Sequence, residues 1–282
     1  MLKRSFILSL CQMKQISNKE SNLQRAEELV TTAVKLYKSN VVVLPEFFNC
    51  PNGNSKLAQE FAEEESNSQT LQMLKRLAKN LNIYLIGGSF PEKEGQKLYN
   101  TCYCINKQGE VSAKYRKVHL FDIDIPGKMT MKETDTLTAG NTLTIFDTEY
   151  CKFGIGICYD MRFPELSQTL KSNGVEFLMF PSAFNTTTGP LHWELLQRSR
   201  ALDNNCFVAT CSPARNLDDT TGYQVYGYST VVDPFGKVIS NLGYEEGILQ
   251  TTVNLNLIDE IGQQIPTFKQ KRFDVYEGFK KI

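Results

Sequence analysis

Unbroken apolar runs and amphipathic stretches alternate along almost the whole chain, and that alternation carries most of the fold. Positions 6–13 read as a strand. Positions 18–37 read as a helix, with Leu23, Ala26, Leu29, Val30, Ala33 and Tyr37 at helical spacing. Val41, Val42, Val43 and Leu44 form a continuous apolar run that stops at Pro45, as expected of a strand buried on both faces. The spacing predicts a second helix over 68–81 and a strand over 83–90. Segments 99–106 and 110–116 flank Lys107-Gln108-Gly109, a hairpin signature.

The second half has the same style. Strands are predicted over 143–148, 151–157, 176–181 and 206–211, and helices over 163–172 and 191–204. A hairpin over 227–233 and 237–242 turns at Pro234-Phe235-Gly236, and a last strand covers 247–253. Each half is a strand–helix–strand unit followed by hairpins. The expected fold class is therefore α/β, two sheets with helices outside, a four-layer α-β-β-α sandwich. No linker, low-complexity tract or charge block divides residues 1–282, so one domain is expected. The segment 265–282 is polar and aromatic with little periodicity, and reads as an extended C-terminal tail packed on a partner subunit.

Charge narrows the field. Thirty-one basic and 31 acidic residues leave no net field to favour nucleic acid or an acidic membrane surface. No run approaches the ~20 apolar residues of a membrane span. The basic start and short apolar run before Gln12-Met13-Lys14 lack a small-residue cleavage site, so a first core strand is expected rather than a signal peptide. Eight cysteines in 282 residues do not make a disulfide scaffold. They read as buried free thiols of a reducing compartment, cytoplasmic or, as an open alternative, mitochondrial.

Polar residues placed directly after apolar strands are those a sheet projects together at its edge. Three stand out: Glu46 after 41–45, Lys117 after 110–116, and Cys158 after 151–157. In Gly156-Ile157-Cys158-Tyr159-Asp160 the strand reads as ending at the cysteine and turning at once into a helix, a setting that favours a thiolate. Taken singly, Cys158 is a core thiol, Glu46 a cap and Lys117 a surface charge. Together they are a nucleophile, a general base and an oxyanion-stabilising cation, the set acyl transfer needs. His119 and His192, the two histidines, sit in no thiol-protease signature and do not give zinc spacing, and Ile86-Gly87-Gly88-Ser89 lacks the fuller phosphate-loop pattern.

The text around these residues, Leu44-Pro45-Glu46-Phe47-Phe48, Tyr115-Arg116-Lys117-Val118-His119-Leu120-Phe121-Asp122 and Gly156 through Glu165, resembles the three signature regions of the nitrilase superfamily of carbon–nitrogen hydrolases. Phe121–Lys128, Phe184–Glu194 and Ser212-Pro213-Ala214-Arg215 look most like its omega-amidase branch, with the deaminated-glutathione amidase branch close behind.

The resemblance implies the carbon–nitrogen hydrolase sandwich, a Glu46–Lys117–Cys158 triad, and an oxyanion site made by Lys117 and the backbone N–H of Tyr159. It implies a second glutamate, Glu133, that orients Lys117 or assists proton transfer, where a solvated loop charge is the plain alternative. It further implies hydrolysis of the terminal amide of 2-oxoglutaramate or 2-oxosuccinamate through a thioester. No cofactor or metal is implied, and the expected partners are a small 2-oxo acid amide and a second copy of the chain. Such a substrate carries a carboxylate, so a cation or convergent donors are expected in the pocket. Arg162 leads, followed by Phe184, Thr187 and Thr188. Their rival roles are to tie down a helix start and to form a turn. A non-catalytic scaffold on the same fold is the reading from another class.

Overall fold

The computed structural model describes residues 4–127, 129–218 and 222–276. Lys128 and the tail beyond 276 lie outside the described residues. The first half runs β1 (Ser5–Gln12), α1 (Lys19–Tyr37), β2 (Val41–Val43), α2 (Ser55–Glu60), α3 (Gln69–Leu81), β3 (Tyr84–Ile86), β4 (Phe90–Glu94), β5 (Lys97–Ile105) and β6 (Val111–Arg116). A separate hairpin follows, β7 (Asp122–Ile125) with β8 (Met129–Lys132). The second half contains β9 (Thr144–Asp147), β10 (Lys152–Ile155), α4 (Pro164–Ser172), β11 (Phe177–Pro181), α5 (Gly189–Asn204), β12 (Phe207–Cys211), β13 (Thr230–Val232) and β14 (Val238–Asn241). The chain closes with β15 (Gly247–Asn254), α6 (Asn256–Gln264) and α7 (Phe273–Tyr276).

The first sheet has the order β15-β1-β2-β3-β5-β4, with β6 also on β5, and the second has β14-β13-β12-β11-β10-β9. Side-chain parity assigns the layers. Leu8, Leu10, Val41, Val43, Ile86, Cys102 and Cys104 face the second sheet, while Cys11, Val42, Leu85, Tyr103 and Ile105 pack under α1 and α3. The Val41–Val43 run is apolar throughout because both its faces are covered. On the other side Phe153, Phe177 and Phe207 sit opposite one another in the parallel register of β10, β11 and β12, with rings 5.2 and 5.6 Å apart. Leu166, Leu170, Trp193 and Ala201 of α4 and α5 join that core. The four layers are those expected. All eight cysteines are buried free thiols. Among the described residues no helix is long and apolar enough to cross a membrane.

Helix ends follow from local chemistry. Asn18 caps α1 by accepting from Ser21 N–H, Ser68 caps α3 by accepting from Leu71 N–H, and Pro164 opens α4. Several expectations change. The strand predicted over 83–90 breaks at Gly87-Gly88, where Gly88 takes a φ of +59° with its α-carbon against the Pro45 carbonyl, leaving no room for a side chain. A helix also forms at 256–264, seating Ile261 fully and Leu257 and Ile258 partly on the core edge. The tail is not simply extended. Asn205 Nδ2 donates to the Ile265 carbonyl, Thr267 Oγ1 donates to Asn205 Oδ1 (2.7 Å), and a helical turn forms at 273–276.

Candidate active site

Each key side chain stands just past the end of a strand. Leu44 and Pro45 carry the chain from β2 to Glu46, and the next residue, Phe47, takes a φ of 50°. That turn is held by Phe47 N–H donating to Ser89 Oγ (3.1 Å) and by Gln15 Nε2 donating to the Glu46 and Phe47 carbonyls. Lys117 follows β6, its N–H bonded to the Asn100 carbonyl at 2.9 Å. Cys158 follows β10 and has a φ of 47°, a conformation non-glycine residues adopt rarely. Gly156 permits that elbow, since a β-carbon there would stand 2.5 Å from the Phe180 ring. The expected direct strand-to-helix passage is replaced by a five-residue 3₁₀ turn, Cys158–Arg162, with α4 beginning only at Pro164.

The structure brings four of the sequence-predicted residues together across the two sheets. Lys117 Nζ donates to Glu46 Oε1 (3.2 Å) and Glu133 Oε1 (3.0 Å), and lies 2.9 Å from Glu133 Oε2. Cys158 lines the same cavity as Glu46, close enough for the carboxylate charge to act on the thiol. Asn100 Nδ2 donates to Glu46 Oε1 (2.9 Å) and Ala183 N–H to Oε2 (2.8 Å). Phe121 N–H donates to Glu133 Oε2 (2.8 Å). Glu46, Lys117 and Cys158 are all nearly inaccessible to solvent.

Burial dominates the electrostatics. It raises the Glu46 carboxyl above its usual range, and Glu133 adds to that while Lys117 opposes it. Burial pulls the Lys117 ammonium down, but Glu133 and then Glu46 outweigh it, so the group stays charged well past its ordinary range. With one cation between two carboxylates and the shorter contacts to Glu133, Lys117 pairs foremost with Glu133. Glu46 is left a stronger base than an exposed glutamate. The thiol departs from expectation. Burial and the Glu46 charge push Cys158 well above its ordinary value, with Lys117 a lesser opposing influence, so the resting group is a neutral thiol rather than a thiolate.

A cavity of about 310 Å³ opens onto Glu46, Lys117, Glu133 and Cys158. Its walls include Asn52 and Asn54 from the loop after Glu46, Thr130, Met131 and Lys132 from the β7–β8 hairpin, and Tyr223, whose Oη donates to the Ala183 carbonyl (2.8 Å). These wall residues carry no sequence prediction. Arg162, Phe184, Thr187 and Thr188 are not among the lining residues. The Arg162 guanidinium lies 4.9 Å over the Phe184 ring and 5.7 Å from that of Tyr159, with Nη1 3.2 Å from His192 Nδ1. The Thr187 and Thr188 N–H groups donate to Asn185 Oδ1, forming a turn in the loop that leaves Ala183. Tyr159 follows Cys158 in the 3₁₀ turn, so its N–H belongs to the leading donors that find no partner inside a helix.

Comparison with known proteins places this geometry. The carbon-nitrogen hydrolase family model matches residues 7–263. The chain is 51% identical to the omega-amidase NIT2 of Mus musculus, over 96% of this chain and 97% of that one. Identity to the omega-amidase NIT2 of Homo sapiens is 50% over the same shares. The crystal structure of Saccharomyces cerevisiae Nit3, a member of branch 10 of the nitrilase superfamily, superposes with a TM-score of 0.86 at 41% identity, covering 95% of this chain and 97% of that one.

Proposed function

The chain belongs to the carbon–nitrogen hydrolase family, and on that premise we propose that it is an omega-amidase, hydrolysing the terminal amide of 2-oxo acid amides such as 2-oxoglutaramate. The observation that carries the reading is a buried Cys158 thiol lining one cavity with Glu46, itself 3.2 Å from Lys117.

Glu46 takes the thiol proton as Cys158 Sγ attacks the amide carbonyl. The Lys117 ammonium and the Tyr159 N–H stabilise the developing oxyanion, with Glu133 holding the ammonium in place. The tetrahedral adduct collapses as the Glu46 carboxyl gives its proton to the leaving nitrogen, and ammonia departs from a Cys158 thioester. Glu46 next takes a proton from water, the hydroxide adds to the thioester carbonyl, and collapse returns the proton to sulfur and frees the acid. A thiol neutral at rest suits this sequence, because base and nucleophile exchange one proton within the site at every stage.

The substrate's carboxylate is assigned to Arg162, with Phe184, Thr187 and Thr188. The support is charge: among the described residues Arg162 pairs with no carboxylate. Engagement requires its side chain to turn off the Phe184 ring. Arg162→Gln then raises KM for 2-oxoglutaramate far more than for an uncharged amide, and equal effects on both would remove the assignment.

The reading treats the chain as one functional unit, places it in the cytoplasm on the strength of its buried free thiols, and pairs it with a second copy. Leu191, Leu195 and Leu202, exposed by half or more along α5, give the pairing face, and light scattering showing only monomer would count against it. The functional test compares kcat/KM on 2-oxoglutaramate and on deaminated glutathione with the same preparation. Preference for the former is expected; preference for the latter moves the protein to the neighbouring branch, and no ammonia from any small amide returns the scaffold reading.

A further inference from the structure

Asp160 is a fully buried carboxylate outside the proton-transfer chemistry, and all four of its hydrogen bonds reach segments that carry reacting groups. Oδ2 accepts from Ile157 N–H (2.8 Å), the residue immediately before the nucleophile. The same oxygen accepts from Tyr115 Oη (2.7 Å), two residues before Lys117. Oδ1 accepts from His119 N–H (2.9 Å) and, at 2.7 Å, from His119 Nδ1, two residues after Lys117. The His119 ring also lies flat on Phe163, centroids 3.6 Å apart and planes 7° from parallel, at the entry to α4.

We propose that Asp160 is a positioning residue that clamps the Lys117 segment to the Cys158 elbow, fixing the distance between oxyanion cation and nucleophile. This rests on the catalytic reading of Lys117 and Cys158. The bond to Ile157 alone is the local cap that an aspartate at the third position of a turn makes anywhere. The bonds to Tyr115 and His119 are different, because they cross from the second sheet to the first and bracket the catalytic lysine symmetrically. The elbow needs such a tether, since Cys158 holds a left-handed φ that an L-residue leaves unless its surroundings fix it. Four donors at one carboxylate satisfy the buried charge, and burial together with Asp160 keeps the Tyr115 phenol protonated as a donor. Asparagine at this position presents its amide NH2 to at least one donor and opens the clamp on that side.

The test measures ammonia release from 2-oxoglutaramate by wild type, C158A, D160N, Y115F and the D160N/Y115F double variant, per folded molecule counted by near-ultraviolet circular dichroism. D160N is expected to lower kcat about 100-fold, the scale of a misplaced reacting group, with KM within about threefold of wild type. Y115F alone is expected to lower kcat about tenfold, and the double variant to lose no more than D160N, since both open one clamp. Iodoacetamide labelling of Cys158 slows in step with kcat. A merely structural Asp160 predicts lower thermal stability with wild-type kcat in the folded fraction, and that result overturns the proposal. If D160N does not fold, Y115F decides by the same kcat and labelling readouts. Wild-type kcat in D160N or Y115F beside an inactive C158A rejects the clamp alone, whereas an active C158A rejects the catalytic reading beneath it.

Discussion

Glu133→Gln is the most informative single change, because Glu133 touches the cation and neither the nucleophile nor the base. Its two oxygens serve Lys117 Nζ, at 3.0 and 2.9 Å, and Phe121 N–H at 2.8 Å. Glutamine preserves the volume but offers one acceptor oxygen, so its amide NH2 confronts either the ammonium or the peptide N–H. The change removes one charge-assisted bond, about 1.5–3 kcal/mol, or roughly ten- to 150-fold in rate where the transition state feels it.

A second consequence has a definite sign. The Glu133 charge is one of the influences raising Glu46, and removing it also frees Lys117 to pair with Glu46 alone. Both effects lower the Glu46 pKa. The active free enzyme needs Glu46 ionised, so the acid limb of the kcat/KM profile moves to lower pH while the plateau falls. Ammonia release assayed from acid to neutral pH, for wild type and variant, measures both. A plateau within about twofold of wild type and an unmoved acid limb would refute the assignment and leave Glu133 a loop charge.

Cys158→Ala should abolish turnover with unchanged circular dichroism, and intact-protein mass spectrometry of wild type quenched with 2-oxoglutaramate should show an acyl adduct on Cys158 that the variant lacks. Glu46→Gln should block that adduct by removing the base; an adduct at the wild-type rate would reassign proton transfer. Gly88→Ala should cost about 1–3 kcal/mol in chemical denaturation and lower kcat as well, since the added carbon displaces the backbone behind Glu46. Buried Glu92 takes hydrogen bonds from Arg116, Lys114 and Thr101. Burial alone would raise its pKa, yet these partners hold it below the ordinary value near 4.5. Its stabilisation is therefore complete above that value and is lost as pH falls through the lower folded one. Glu92→Gln should cut the Tm at neutral pH and flatten its fall in acid, and an unchanged Tm at pH 7 would contradict this.

The layers were legible because a strand covered on both faces leaves a run such as Val41–Leu44 that little else explains. The convergence of Glu46, Lys117 and Cys158 was legible for a related reason: each stands just past a strand, β2 and β10 covered on both faces and β6 the outer strand of a hairpin. The state of the thiol was not. A helix end suggested an acidic cysteine, but desolvation and a carboxylate neighbour outweigh a 3₁₀ turn, and both arise from tertiary packing. The β7–β8 hairpin hid for a different cause. Asp122, Ile123, Asp124 and Ile125 alternate over only four positions and bury little, so their pattern barely differs from a loop. Arg162, four positions after Cys158, suggested proximity, yet the turn sends its guanidinium onto Phe184, 22 positions further along and past α4 and β11.

Glu46 and Lys117 belong to the first sheet, and Cys158 and Ala183 to the second. During synthesis the base and the cation therefore leave the ribosome before the nucleophile exists. On the proposed mechanism neither half carries a working centre, and hydrolysis is expected only once the sheets have docked face to face. Amide turnover is in that sense a gauge of docking: any partial opening that parts the sheets should silence it while most helices remain. The two halves expressed as separate fragments make a natural complementation pair, silent apart and active on reassembly.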